Sequence, residues 1–259
     1  MSSKSSDKPK AKWLTRQKFL SVSAIILWVA LAYIIANALA YASLLAASKL
    51  GWVDASQKTL ITIASGLITY AVSLFLLFLG IKLARKYPKN LSLLEIKKSD
   101  WAVGGWLTWQ QLLLGVAAFI AAMILMVVVL ALIGQIIPGF NIEQTQEIGV
   151  DPRAIYNRTE MLAVFALFVI IAPISEELIF RGYLYGKLRQ MTSIVTSTLI
   201  TSLLFGLAHL QPNVAVATFV MSVVMCLCRE ATQSIYPAII VHILKNGIAF
   251  ALLFIMQVN

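Results

Sequence analysis

Charge is scarce in this chain. Only 12% of its 259 residues are Asp, Glu, Lys or Arg, against 60% that are hydrophobic, and the mean hydropathy is +0.86. That balance excludes an ordinary soluble domain and indicates a polytopic membrane protein. Cysteine is limited to Cys226 and Cys228, two residues apart in one apolar run and therefore on different helix faces. The pair suits neither a mutual disulfide nor a zinc site and reads as small apolar filler. Histidine is limited to His209 and His242, and no H-E-x-x-H is present, so metal binding has no motif behind it. The apolar runs are long rather than alternating, which excludes barrel strands. The absence of an internal repeat and of Gly/Pro-broken half-helices weakens a transporter reading. No nucleic-acid motif accompanies the basic residues.

What the chain does have is length of hydrophobic run. About 20 apolar residues in a helix cross ~30 Å of hydrocarbon, and seven runs qualify or nearly do: roughly 19–46, 59–83, 108–137, 161–187, 192–210, 214–228 and 235–256. The expected fold is all-α, a polytopic integral membrane helical bundle of about seven transmembrane helices. The first run is long enough to tilt strongly and the sixth is short. Four regions are expected: a basic disordered tail over 1–18, N-terminal transmembrane helices over 19–138, an external loop over 139–160, and a core over 161–256. In the loop, Asp151-Pro152 offers a helix start. The sequon Asn157-Arg158-Thr159 matters only in a glycosylating host.

The formal net charge of +10 is unevenly placed. Lys4, Lys8, Lys10, Lys12, Arg16 and Lys18 precede the first run, and Lys82 to Lys98 hold six more basic residues after the second. Lys187, Arg189 and Arg229 mark later ends of the same polarity, whereas the opposite loops hold only Lys49, Lys58, Arg153 and Arg158. Basic short loops stay on the cytoplasmic side, so the N-terminus is expected inside, with these rims fixing topology and touching anionic lipid. Trp101, Trp106 and Trp109 read as an interfacial belt. The first run is too long for a cleaved signal peptide and is expected to be a retained anchor.

Ionisable residues that enter the apolar runs concentrate after residue 160: Glu176, Glu177, Arg181, His209, His242 and Lys245, with Asn246 beside them. Charge inside a bilayer is costly and points to function, so function is expected in this half. Helical residues four apart share a face, while adjacent ones diverge by about 100°. Glu177 and Arg181 therefore face one another as a structural ion pair, and Glu176, pointing elsewhere, is the general-base candidate. Phe205 and His209 are four apart, as are His242 and Asn246, so each pair is expected on one helix face, with Phe205 walling in the imidazole. At ~1.5 Å of rise per residue, Glu176 lies ~18 Å from its helix end, His209 ~24 Å, His242 ~10 Å and Asn246 ~16 Å, near enough for one polar cavity. There a carboxylate aided by one histidine can activate water against an amide carbonyl, while the other histidine and the asparagine donate to the oxyanion. A zinc site built from the histidines and a glutamate is the competing reading, resting on residue type alone.

In chain order, Glu176-Glu177-x-x-x-Arg181, Phe205-x-x-x-His209 and His242-x-x-x-Asn246, within ISEELIFRGYLYG, LLFGLAHL and SIYPAIIVHILKNG, resemble the three motifs of the CPBP (CAAX protease and bacteriocin-processing, or Abi) intramembrane endopeptidases over roughly residues 161–250. The resemblance implies a helical membrane protease of the type that trims the last three residues from prenylated CAAX proteins. It implies Glu176 as the water-activating residue, His209 as its partner, and His242 with Asn246 as oxyanion donors. It implies no metal, although such proteases were long labelled metalloproteases. Family relatives often have eight spans against the seven counted here. Lys245 stands out as a buried cation, expected to modulate Glu176, pair with a glutamate or bind a substrate carboxylate, or else simply to reach along a wet cavity. The implied partners are membrane lipid and a membrane-anchored peptide, CAAX-type or leader/pheromone-type, at a bacterial cell membrane. A non-cleaving scaffold or bacteriocin-immunity-type protein of the same fold is the alternative.

Overall fold

Apolar runs of this length satisfy their backbone groups internally as helices, and the computed structural model describes seven. These are α1 (Lys8–Lys49), α2 (Lys58–Lys86), α3 (Trp109–Ile136), α4 (Arg158–Arg189), α5 (Ile194–Leu207), α6 (Pro212–Thr232) and α7 (Tyr236–Ile255). The structure describes residues 8–54, 57–87, 94–142, 150–152, 155 and 157–256, with 8–17, 98 and 99 by backbone alone. No strand occurs among the described residues. Helix α1 starts at Lys8, inside the polar tail set apart on composition.

Six of the helices are long and apolar enough to cross a membrane; α5, with 14 residues, is shorter. The expected 192–210 run thus stops as a helix at Leu207 and turns back through residues 208–211. Pro212 at the start of α6 is pre-set for a new first turn, and Leu210, at φ 61°, takes the left-handed conformation that reverses the chain. Helix α4 starts at Arg158, where Asn157 Oδ1 accepts the Glu160 N–H at 2.7 Å. The sequon asparagine is therefore an N-cap, and of the expected start at Asp151-Pro152 the continuation at 153 and 154 lies outside the described residues, as do 143–149 of the same loop.

Small residues set the helix contacts. Helix α3 exposes Leu113, Ile124, Val127 and Ile136 and buries only Gly115, Ala118 and Ala122, which let α7 approach closely. A Cβ on Gly115 would lie 2.8 Å from Ile240 Cβ. Helices α5 and α6 form a tighter hairpin, in which a Cβ on Gly206 would lie 2.6 Å from the Ala215 carbonyl oxygen.

At one end of the bundle, segment 94–105 is tied to α4, α6 and α7. Tyr183 donates to Leu94 O at 3.2 Å, Lys187 donates to Glu95 O, and Arg229 donates to Asp100 O at 2.6 Å. Arg189 donates twice to Glu230, at 3.0 Å each. Lys187, Arg189 and Arg229, first counted as topology markers, are thus also structural clamps. Trp106 and Trp109 are exposed, as an interfacial belt requires, but Trp101 is buried. Its ring stacks on Phe78 at 5.3 Å and fits over Gly182, where a Cβ would lie 3.0 Å from the indole.

The α5–α6 approach gives the first test. Gly206→Ala places a methyl group against a backbone oxygen that cannot swing aside, at an expected cost of about 1–3 kcal/mol, read as a lowered unfolding midpoint in detergent. Gly66→Ala meets only the flexible end of Leu167, at 2.9 Å, and is expected to shift that midpoint little.

Candidate active site

Glu176 and Glu177 close an α-helical segment, Ala172–Glu177, framed within α4 by two π-helical stretches, Ala166–Ile171 and Leu178–Leu184. Pro173 accounts for the first. It has no N–H and its ring clashes with the carbonyl four residues back. The wider π turn, in which the Ala172 N–H bonds the Leu167 carbonyl, relieves that clash. In the same register the Phe168 carbonyl is the one that Pro173 leaves without a donor. Asn246 of α7 takes the vacancy, donating from Nδ2 to Phe168 O at 2.8 Å. A gap written into the α4 backbone therefore orients Asn246, whose second amide proton remains for the cavity that it lines.

Glu177 is fully buried, and its Oε1 accepts from Arg181 Nη1 at 2.9 Å and from His242 Nδ1 at 2.9 Å. The expected Glu177–Arg181 pair is present, and His242 joins it. Arg181 lies over the Phe205 ring at 4.4 Å. The same ring meets Phe180, His209 and His242 edge to face, with centroids at 5.0, 5.1 and 5.7 Å. Phe205 thus walls both imidazoles.

Glu176 has the opposite setting. Its Oε1 accepts from Tyr70 Oη at 2.5 Å, its Oε2 lies 3.8 Å from His242 Nε2, and its side chain is 19% exposed. It faces a cavity of about 720 Å³ that Tyr33, Phe168, His209, Lys245 and Asn246 also line. Adjacent carboxylates are therefore divided, one sealed among a guanidinium and an imidazole, the other open to the cavity.

His209 corrects one expectation. It sits in the turn after α5, not on the helix face of Phe205, because α5 ends early at the hairpin. The link to Phe205 survives through the backbone, with His209 Nδ1 2.8 Å from Phe205 O. A carbonyl oxygen only accepts, so Nδ1 carries the proton and the neutral ring keeps its lone pair on Nε2. His242 is anchored alike, through Nδ1 to Glu177, with Nε2 toward Glu176. His209 and Glu176 line one cavity without a hydrogen bond or ion pair between them.

The expectation that the site belongs to the second half of the chain is also corrected, since α1 and α2 supply Tyr33, Tyr70 and Ser73 to the cavity wall. The available signal was the polar cluster Thr69, Tyr70 and Ser73 within an apolar span, two of whose members are buried. A single tyrosine in a membrane helix carries no motif, and Tyr is common at interfaces. Among the described residues no group of three or more His, Cys, Asp or Glu side chains is placed to hold a metal ion.

Comparison with known proteins adds likeness at the level of sequence. Residues 158–248 match the family model described as type II CAAX prenyl endopeptidase Rce1-like. The chain is 29% identical over 231 residues to the membrane-embedded CAAX protease MroQ of Staphylococcus aureus (strain USA300), covering 85% of this chain and 87% of that protein. It is 30% identical over 77 residues to the putative membrane peptidase YdiL of Bacillus subtilis (strain 168), covering 30% and 32% of the two chains. No solved structure matches. With its six membrane-length apolar helices and relatives of this kind, the protein is a multi-pass membrane protein. The Rce1-like match falls on α4 to α7, which carry the divided carboxylates, both histidines and Asn246, and the likeness to MroQ runs along most of the chain; together the two findings support the CPBP family.

Proposed function

We propose that this chain is an intramembrane endopeptidase that hydrolyses a peptide bond in a membrane-anchored peptide, with Glu176 activating the attacking water. The observation that carries this reading is the division of the two carboxylates. Glu177 is committed to Arg181 and His242, while Glu176 opens to the cavity 3.8 Å from an imidazole nitrogen. A water at about 2.8 Å from both atoms fits that separation, on the cavity side. Glu176 takes its proton as the oxygen attacks the carbonyl carbon, and the proton passes to the amine nitrogen as the C–N bond breaks.

His209, with a lone pair on Nε2 in the same cavity, assists Glu176. Asn246, through its second amide proton, and His242, through Nε2 when protonated, donate to the oxyanion. Tyr70 holds the Glu176 carboxylate in place. The reaction so drawn uses no metal. The family match and the relatives' names support a peptide substrate of CAAX type, held by lipid or by its own apolar segment. On the placement of lysine and arginine we put the N-terminus on the cytoplasmic side of a bacterial cell membrane.

Mass spectrometry of peptide termini in membrane and secreted fractions tests the reading in cells. Termini present with the wild type are expected to vanish with Glu176→Ala at matched expression, and identical profiles would favour a non-cleaving scaffold. In purified protein, Glu176→Gln is expected to lower kcat by about 10²- to 10⁴-fold and Asn246→Ala by about 10²- to 10³-fold. A chelator is expected to leave turnover unchanged, and its loss would bring the zinc mechanism back.

Arg181 has a different expected role. Arg181→Leu leaves Glu177 buried with one partner fewer and is expected to cost about 3–5 kcal/mol of stability, measured by thermal unfolding in detergent. A fully stable, active Arg181→Leu protein would overturn the division of labour between the carboxylates.

A further inference from the structure

Helix α5 is too short for the membrane it enters. Its 14 residues start at Ile194, beside the end that Arg189, Arg229 and Glu230 tie together, and rise ~21 Å against a hydrocarbon thickness of ~30 Å. Turn 208–211 therefore lies within the membrane, near the depth of Glu176, which stands ~20 Å from Arg189 along α4. The turn is not sealed among its neighbours. Ala208 and Pro212 are exposed, and Leu210 is 88% exposed. Irregular backbone at membrane depth is tolerated only where protein buries it or where it lines a water-filled cavity. Exposure excludes the first, so water must reach this turn.

The reaction cavity opens at the same place. Among its lining residues Tyr33 and Ile34 of α1, Leu207 and Ala208 at the end of α5, and Leu252 of α7 are exposed, whereas Val29, Leu77 and Ile179 are buried. The buried three belong to a core cluster with Ile96 and Trp101, so segment 94–105 closes the cavity floor on the basic side. At the opposite end Val150 and Ile155 pack with Phe250 and Phe254, which roofs the α4–α7 side. What stays open is a notch beyond the truncated α5, between α1 and α7. Building on the peptidase reading, we propose that this notch holds water continuous with the external face, and that the substrate is a membrane-anchored peptide presented on that face, opposite the basic rims. The exposed apolar side chains of Ile34, Leu207 and Leu252 border lipid, where they meet the apolar anchor of the substrate. The strand to be cut, its backbone solvated in the notch, passes Tyr33 to reach Glu176.

Sided labelling of single added cysteines tests this without turnover. The native Cys226 and Cys228 are buried, so each variant of the full-length protein carries one reactive thiol: Ala208→Cys or Leu207→Cys at the notch, or Lys86→Cys, exposed on the basic rim. Spheroplasts present the external face and inverted membrane vesicles the cytoplasmic one, and the probe is a membrane-impermeant sulfonated maleimide. Both notch cysteines are expected to react about 100-fold faster in spheroplasts than in inverted vesicles, since from the basic side the charged probe must cross a closed apolar end. Lys86→Cys is expected to show the reverse preference. Notch and rim cysteines labelled from one and the same face overturn the proposal, and so do notch cysteines that react from neither face. Complete external labelling of Leu207→Cys is also expected to abolish the peptide termini that Glu176→Ala removes, and their persistence would show that the substrate enters elsewhere. Labelling confined to the basic face, with those termini still formed, would defeat this proposal alone. External labelling with no Glu176-dependent termini would defeat the peptidase reading alone.

Discussion

Glu177 Oε1 receives two hydrogen bonds of 2.9 Å, one from Arg181 and one from His242, in a setting closed to solvent. An unpaired carboxylate at that position would be severely unfavourable, so the arrangement holds only when α4 and α7 are docked with their rings and guanidinium in register. Arg181 in turn covers the Phe205 ring, and Phe205 meets both imidazoles. One buried oxygen thus fixes the relative positions of α4, α5 and α7. By occupying the guanidinium, it also leaves Glu176 without one.

A second constraint acts earlier on α4. Pro173 opens the α4 backbone, the π turn widens it, and the freed Phe168 carbonyl takes the Asn246 amide. These two ties lie about two turns apart on α4 and reach His242 and Asn246, which lie one turn apart on α7. Together they set both the rotation and the depth of α7 against α4. The departures from regular helix at Ala166–Ile171 and Leu178–Leu184 bracket the carboxylates, where local irregularity re-aims side chains without loss of the span.

Much of this was legible in the residues. Hydrophobic run length located the spans, and the spacing of four predicted the Glu177–Arg181 pair before any geometry. The helical reading failed at His209, because a polar residue near the end of an apolar run looks the same whether the helix continues or turns. Leu210 in the left-handed region carries no sequence signal of the kind that glycine gives. Trp101 was misplaced for a related reason: a tryptophan after a basic loop resembles an interfacial anchor, and only the space over Gly182 turns it inward. Tyr70 was missed because its partner is 106 residues away, at Glu176, and no local pattern encodes that distance.

The central claim is that two adjacent carboxylates do different work, and comparing Glu176→Gln with Glu177→Gln for both unfolding midpoint and turnover tests it most directly. The account predicts that Glu176→Gln keeps the midpoint and loses turnover, while Glu177→Gln lowers the midpoint and keeps measurable turnover in the fraction that remains folded. The reverse pattern, with Glu177→Gln stable and inactive and Glu176→Gln active, would contradict it.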